Sequence, residues 1–185
     1  MYGLVNQAVQ DLVVEAYGVD VWNNIKTEAG VDEEKFVSNQ AYDDKVTYDL
    51  VGAASKILNA PAEDILKLFG EHWVLKTATQ GYGDLMDAAG DSLGEFLAYL
   101  PNFHTRVRLI FPDLHPPSFK VSDVEEDRLI LHYYSERDGL QPFVVGLIEG
   151  LGKRFETPAT ATYIKGRAEG EDHDEFLVTW SGSPE

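Results

Sequence analysis

The stretch Leu129-Ile130-Leu131-His132-Tyr133-Tyr134-Ser135-Glu136-Arg137 is where this chain changes its period. In an extended strand, side chains two apart share a face, so Leu129, Leu131, Tyr133, Ser135 and Arg137 point one way and Ile130, His132 and Tyr134 the other. The alternation predicts a strand over 129–135, and residues 118–121, 160–165 and 176–180 read the same way. Upstream, apolar residues recur at helical spacing instead. Val5, Ala8, Val9, Leu12, Val13 and Ala16 define a first helix that Gly18 stops, and a second, short helix capped by Asp20 runs through Ile25 and ends near Gly30. Residues 32–44 are polar and acidic and read as loop, residues 46–58 as a further helix. Pro61 suits the first position of the next helix, which carries Ile65, Leu66, Leu68, Phe69 and Trp73. Gly81, Gly83 and Gly90 break the stretch after Trp73 into short helices, and Leu93, Phe96, Leu97 and Leu100 lead into another. The change of pattern falls after Pro112, with one more helical run at 139–151. The expected fold is therefore α+β, a helical N-terminal part and a small, mostly antiparallel C-terminal sheet with packed helices.

A length of 185 residues with 44% hydrophobic residues and no internal repeat fits one domain whose core is large enough to enclose a ligand. Residues 181–185 read as a frayed tail. The net charge of -17, from 15 basic against 32 acidic residues, argues against a surface for nucleic acid or anionic membrane, because phosphates would be repelled. The sequence has no apolar run of the ~18 residues a membrane span needs, and its N-terminus lacks a basic leader, so a cytoplasmic location is expected. With no cysteine, thiolate ligation, disulfides and thiol redox chemistry are excluded, and imidazole is left as the ligand for a soft metal.

The predicted strand face passes from apolar residues to three hydrogen-bond donors, Tyr133, Ser135 and Arg137. Such a row suits a molecule with a greasy body and an anionic end, as haem has with its two propionates. In a chain this acidic, carboxylates need a dedicated cation, and Arg137 supplies bidentate, charge-assisted bonds. Removing one partner of a buried pair of that kind costs about 2–5 kcal/mol. An axial ligand is available in Leu100-Pro101-Asn102-Phe103-His104-Thr105-Arg106-Val107: Leu100, Val107 and Phe111 place His104 on an apolar helix face, and Pro117 comes thirteen residues later. The other histidines read as bystanders. His115 lies in a proline-rich loop, His132 in a strand, and His173 in an acidic turn where a metal site is the less favoured reading; His72 adjoins Trp73 on a helix and faces a pocket or water.

Taken together, the start Met1-Tyr2-Gly3-Leu4-Val5-Asn6, the helix around Gly70 to Trp73, His104, Pro117, Tyr133-x-Ser135-x-Arg137 and Phe143-Val144-Val145-Gly146-Leu147-Ile148-Glu149-Gly150 resemble a haem-nitric oxide/oxygen binding (H-NOX) domain, of the stand-alone cyanobacterial type and related to the haem domain of soluble guanylate cyclase. The resemblance covers essentially the whole chain. It implies a single domain over 1–185, with about 1–60 as a distal helical subdomain, about 61–185 as a proximal α/β subdomain and haem b between them. It also implies His104 as proximal iron ligand, Tyr133, Ser135 and Arg137 on the propionates, and Pro117 packed against the macrocycle so as to bend it.

The distal side then selects the gas. Oxygen bound to ferrous iron draws negative charge outward and needs a nearby donor, whereas NO and CO need one much less. Oxygen-binding members carry a tyrosine where Phe143 stands here, and a phenyl ring cannot donate. Leu4, Val5 and Leu147 complete an apolar pocket, and Trp73 occupies the position of an asparagine in oxygen binders, its indole N–H being the one distal donor. The resemblance thus implies a sensor, not an enzyme, that binds NO and CO, excludes O2, and signals by release of His104 to a separate effector such as a histidine kinase or cyclic-nucleotide enzyme. Two other readings compete with it. One is a module that holds a different amphipathic anion in the same pocket. The other is a haem enzyme, for which His72 is the candidate distal acid or base.

Overall fold

The computed structural model describes residues 1–110 and 116–181; the expectations placed on Phe111, Pro112, His115 and residues 182–185 lie outside the described residues. Helix α1 (Gly3–Tyr17) buries Ala8, Val9 and Val13 and stops at Gly18, whose φ of 88° a side chain would resist. Helix α2 (Val19–Ala29) ends at left-handed Gly30 and buries Trp22 and Ile25. Asp20 does not cap it. Gly18 holds the cap position without a side-chain bond, and Asp20 sits in the first turn, where its charge meets the positive end of the helix dipole. The segment that reads as polar loop also carries core: Val31 and Phe36 are buried, and Tyr2 forms an isolated antiparallel bridge with Ala41.

Helix α3 (Asp44–Leu58) opens on Asp43, which accepts the Lys45 N–H at 2.9 Å, and closes on left-handed Asn59. Helix α4 (Ala62–His72) has Pro61 at its cap rather than as its first residue. It buries Ile65, Leu66 and Phe69, while Leu68, expected on the same face, is 48% exposed. A π-helical turn over Trp73–Ala78 comes next, then α5 (Thr79–Asp87). Gly81 and Gly83 lie inside α5 rather than breaking it, the irregularity being a kink at Tyr82 (φ −141°, ψ 21°); Gly90, at φ 151°, does separate it from α6 (Leu93–Ile110).

Strands β1 (Ser118–Ser122), β2 (Arg128–Tyr134), β3 (Ala159–Lys165) and β4 (Asp174–Trp180) form one sheet in the order β1-β2-β4-β3, every neighbouring pair antiparallel. Helix α7 (Gln141–Arg154), with Pro142 in its first turn and Lys153 and Arg154 in its last, packs between the sheet and α4. The architecture is α+β as the change of period predicts.

Two hydrophobic clusters result. One joins α1–α4 through residues such as Val9, Ile25, Leu50 and Phe69; the other joins α6, α7 and the sheet through Leu97, Leu131, Val144, Ile148 and Phe176. Trp73 packs against both. The helices that tie the clusters together cross with almost no side chain between them. A Cβ on Gly146 would stand 2.0 Å from the Lys67 carbonyl oxygen, and one on Gly70 2.2 Å from that of Phe143. No helix among the described residues is long and apolar enough to cross a membrane.

Candidate functional site

A cavity of about 340 Å³ opens between the two clusters. That lies within the range of about 300–1,000 Å³ usual for cofactor and small-molecule sites. Leu4 and Val5 of α1, Phe69 of α4, Trp73 and Phe143 line it from the helical side, and Phe103, His104, Val107, Pro116, Pro117, Tyr133 and Arg137 from the other. A wider groove of about 520 Å³, bordered by Glu63, Lys67, Gln141 and Tyr163, holds none of the predicted residues.

His104 reaches the cavity because α6 presents it one turn beyond Leu100. Its Nδ1 lies 3.2 Å from the Leu100 carbonyl oxygen, and Phe119 packs on the ring at 4.6 Å between centroids. A carbonyl only accepts, so Nδ1 carries the proton and Nε2 keeps its lone pair, with no partner among the described residues. The ring is half-buried, and the protein around it strips away bulk water. That desolvation, only partly opposed by the bond to Leu100, pushes the imidazole pKa down to about 4. This is a neutral, oriented nitrogen base in an apolar wall.

Tyr133, buried at 3% exposure, stands on the inner face of β2 opposite Phe119 of β1. Burial raises its pKa, against the lowering effects of the Ser135 hydroxyl and Arg137. The alternation that brings Tyr133 inward does not continue as expected. β2 ends at Tyr134, so Ser135 and Arg137 lie in the turn beyond the strand. Ser135 Oγ accepts the Arg137 N–H at 3.1 Å, closing a local turn that aims Arg137 back at the cavity, while Ser135 itself is not among the lining residues. The Arg137 guanidinium donates from Nε to Asp44 Oδ2 at 2.8 Å. Asp44 also pairs with the Met1 ammonium. Burial pushes the Asp44 carboxyl up, but those two cations outweigh it and hold the group below the ordinary carboxylate range.

The aromatic wall is built by the glycine crossing. With Gly70 and Gly146 bringing α4 and α7 together, Phe143 lies 4.9 Å from Phe69 and 6.5 Å from Trp73 between ring centroids. The Trp73 indole N–H has no acceptor among the described residues. Leu147, expected beside Phe143, does not line the cavity but packs with the sheet-side cluster, because the next turn of α7 carries it past the opening. His72 also stays off the cavity, so no histidine but His104 faces it among the described residues.

Sequence reasoning missed Asp44, Tyr2, Tyr48 and Tyr82. Tyr48 lines the cavity and donates its hydroxyl to the Asp138 carbonyl at 2.9 Å, bridging α3 to the turn that carries Arg137. Asp44 reads only as the end of an acidic loop, and its separation of 93 positions from Arg137 leaves no local signal of the pair.

The donor set fits haem. One imidazole lone pair faces an apolar slot, and a tyrosine hydroxyl and a guanidinium stand at its edge, where an amphipathic dianion needs them.

Comparison with known proteins places the chain in a family. A family model described as Haem-NO-binding matches residues 2–163. The chain is 33% identical over 155 residues to soluble guanylate cyclase gcy-33 of Caenorhabditis elegans, a match over 84% of this chain and 16% of that one. It is 29% identical to soluble guanylate cyclase gcy-35 of the same organism, over 97% of this chain and 26% of the relative. It thus spans about a quarter or less of the length of these relatives. Among solved structures, the Fe(II) unliganded H-NOX protein from K. algicida superimposes with a TM-score of 0.86 at 24% identity, covering 100% of this chain and 99% of that one. The H-NOX protein from S. oneidensis in the Fe(II)NO ligation state gives 0.88 at 21%, over 98% and 100%. At those identities the structural likeness speaks for the fold alone.

Proposed function

Because this chain belongs to the haem-NO-binding family, whose group is haem, we propose that it is a gas-sensing module that takes up NO and CO, excludes O2 and passes the signal to a separate effector. When bound, haem b would supply a ferrous iron able to take a diatomic ligand. The work of the protein lies in what its own residues do around that group.

His104 would hold the group through Nε2, its ring oriented by the Nδ1–H bond to Leu100. Tyr133 and Arg137 would meet its carboxylates, with Ser135 fixing the turn that aims Arg137; the guanidinium would then share itself between Asp44 and the incoming anion. Pro117 would press on the flat of the ring. Phe143, Leu4, Val5 and Trp73 would form the distal wall, with Leu147 behind it. A phenyl ring at Phe143 offers no proton to a polarised O2, which supports selectivity for NO and CO. The division of roles would follow the chain, about 1–60 on the distal side and about 61–185 on the proximal.

Release of His104 would free α6 from its tether to the cavity, and a partner reads that movement only if the gas binds the released form better than the resting one. The naming of the relatives as guanylate cyclases supports a cyclic-nucleotide enzyme as effector, with a histidine kinase as the alternative output. This reading makes the chain a sensor rather than an enzyme.

The observation that carries the proposal is the tautomer of His104, a lone pair left free in a dry wall opposite a phenylalanine. Absorption spectra of the reduced protein test it. A Soret band that stays unchanged in air and shifts on addition of NO or CO is expected. A colourless protein would end the haem reading, and a stable oxygen complex would end the claim of exclusion.

A further inference from the structure

The outer face of β2 carries a second constellation of imidazoles. His132 pairs with Glu175 across β2 and β4, and His173 precedes β4 in the turn that leads into it. His132 Nδ1 and His173 Nε2 stand 2.8 Å apart, and Glu175 Oε1 lies 3.4 Å from the second and 3.7 Å from the first. Each of the three side chains is between 13% and 18% exposed, so the cluster is shielded yet open to ions in solvent.

The outward nitrogens each have an oxygen partner. His173 Nδ1 faces the Asp172 carboxylate, which only accepts, so that nitrogen carries hydrogen. His132 Nε2 lies 2.9 Å from Ser122 Oγ, a hydroxyl able to accept from it or to donate to it. The inward nitrogens face each other at hydrogen-bond distance, with a carboxylate oxygen beside them; a cation that displaced the proton between the rings would meet three donor atoms. Lys165 Nζ lies 3.6 Å from the same Glu175 oxygen and pairs with it, so an incoming cation would share that carboxylate. Tyr134 stacks on His173 at 4.3 Å and holds its ring in place.

We propose that His132 Nδ1, His173 Nε2 and Glu175 form a binding site for one divalent cation of the zinc class, completed by water. Two imidazoles with a carboxylate are a known ligand set for zinc, and each imidazole already has an outer oxygen of the kind that orients metal-bound histidine. A zinc-class ion bonds such donors at about 2.0–2.2 Å, which puts neighbouring donors about 3.3 Å apart in a tetrahedral array. The Glu175–His173 separation matches that spacing, and the two imidazoles need to part by about half an ångström. Bound there, the cation would pin β2 to the start of β4, directly behind Tyr133. Calcium and magnesium would be poor occupants, since both prefer all-oxygen sites.

The test is titration of the haem-loaded protein with Zn2+ against a chromophoric chelator, alongside His132→Ala, His173→Ala, Glu175→Gln and Asp172→Asn. One zinc per chain is expected, with excess Mg2+ unable to displace it. Either histidine variant should abolish stoichiometric binding, and Asp172→Asn should weaken it by about 10–100-fold, all with the Soret band unmoved. Tetrahedral visible bands on Co2+ substitution, absent in the histidine variants, would support the assignment. Failure to bind zinc would show that the two imidazoles merely share a proton and would overturn the proposal. So would binding that survives both histidine variants, which would place the metal on the acidic surface.

Discussion

The inner and outer faces of β2 put the same side chain into opposite settings. On the cavity side, His104 packs on Phe119 with no carboxylate among the described residues against it, and its pKa falls to about 4. On the solvent side, His132 and His173 lie within 3.7 Å of Glu175, and His173 also meets Asp172. In both places one ring nitrogen is engaged by an oxygen and the other faces the site. What differs is the charge around it. A neutral, apolar wall suits a ligand that brings its own charge balance and greasy bulk, whereas a carboxylate beside paired imidazoles suits a bare cation. A histidine's chemistry here is set by the second nitrogen's neighbour and by the polarity of the wall, more than by the strand or helix that carries it.

The sharpest break of that contrast is His104→Gly. The variant should lose its haem spectrum and regain it with free imidazole, whereas His132→Ala should keep it; retention of haem by the glycine variant without imidazole would erase the distinction. Acid comes next. In the haem-free chain, the folded His104 pKa of about 4 lies below the ordinary 6.5, so the unfolded chain takes up a proton that the fold refuses. Stability is then full above pH 6.5 and falls as pH drops toward 4, by at most about 3 kcal/mol. Denaturant midpoints at pH 7 and pH 5 should show this loss in the wild-type chain and not in His104→Leu; equal slopes would mean that another group dominates.

A smaller effect is expected at Arg137. Its contact is partly exposed and already shared with Asp44, so Arg137→Ala should speed haem transfer to a scavenger protein by about fivefold, the scale of about 1 kcal/mol. No change would mean that Asp44 keeps the guanidinium. Smallest is Glu175→Gln in metal-free protein. It should move the unfolding midpoint by no more than about 0.5 kcal/mol and leave gas binding untouched; a large loss of stability would reveal a structural ion pair instead.

Much of this was legible in the sequence because it rests on period. The alternation through Leu129, Leu131 and Tyr133 gives the strand and its inward face, and Leu100 at one helical turn from His104 gives the imidazole its apolar side. The failures have physical causes too. Ser135 and Arg137 continue the alternation on paper, but hydrogen bonding of Ser135 Oγ to the Arg137 N–H ends the strand early. Phe36 is core inside a segment that reads polar, since one aromatic among acidic residues leaves no periodic trace. The Asp44–Arg137 pair and the His132–His173–Glu175 cluster are made by tertiary contacts between distant segments, so no window of sequence contains them.

The bare crossing of α4 on α7 has a mechanical corollary. With the Lys67 carbonyl where a methyl on Gly146 would need to be, backbone meets backbone at the crossing, and neither helix can roll on the other. Trp73 and Phe143, carried near the two ends of that joint, must travel together. Any force delivered through α6 is therefore turned into displacement of whole blocks, as a welded bracket transmits a push that a greased hinge would absorb.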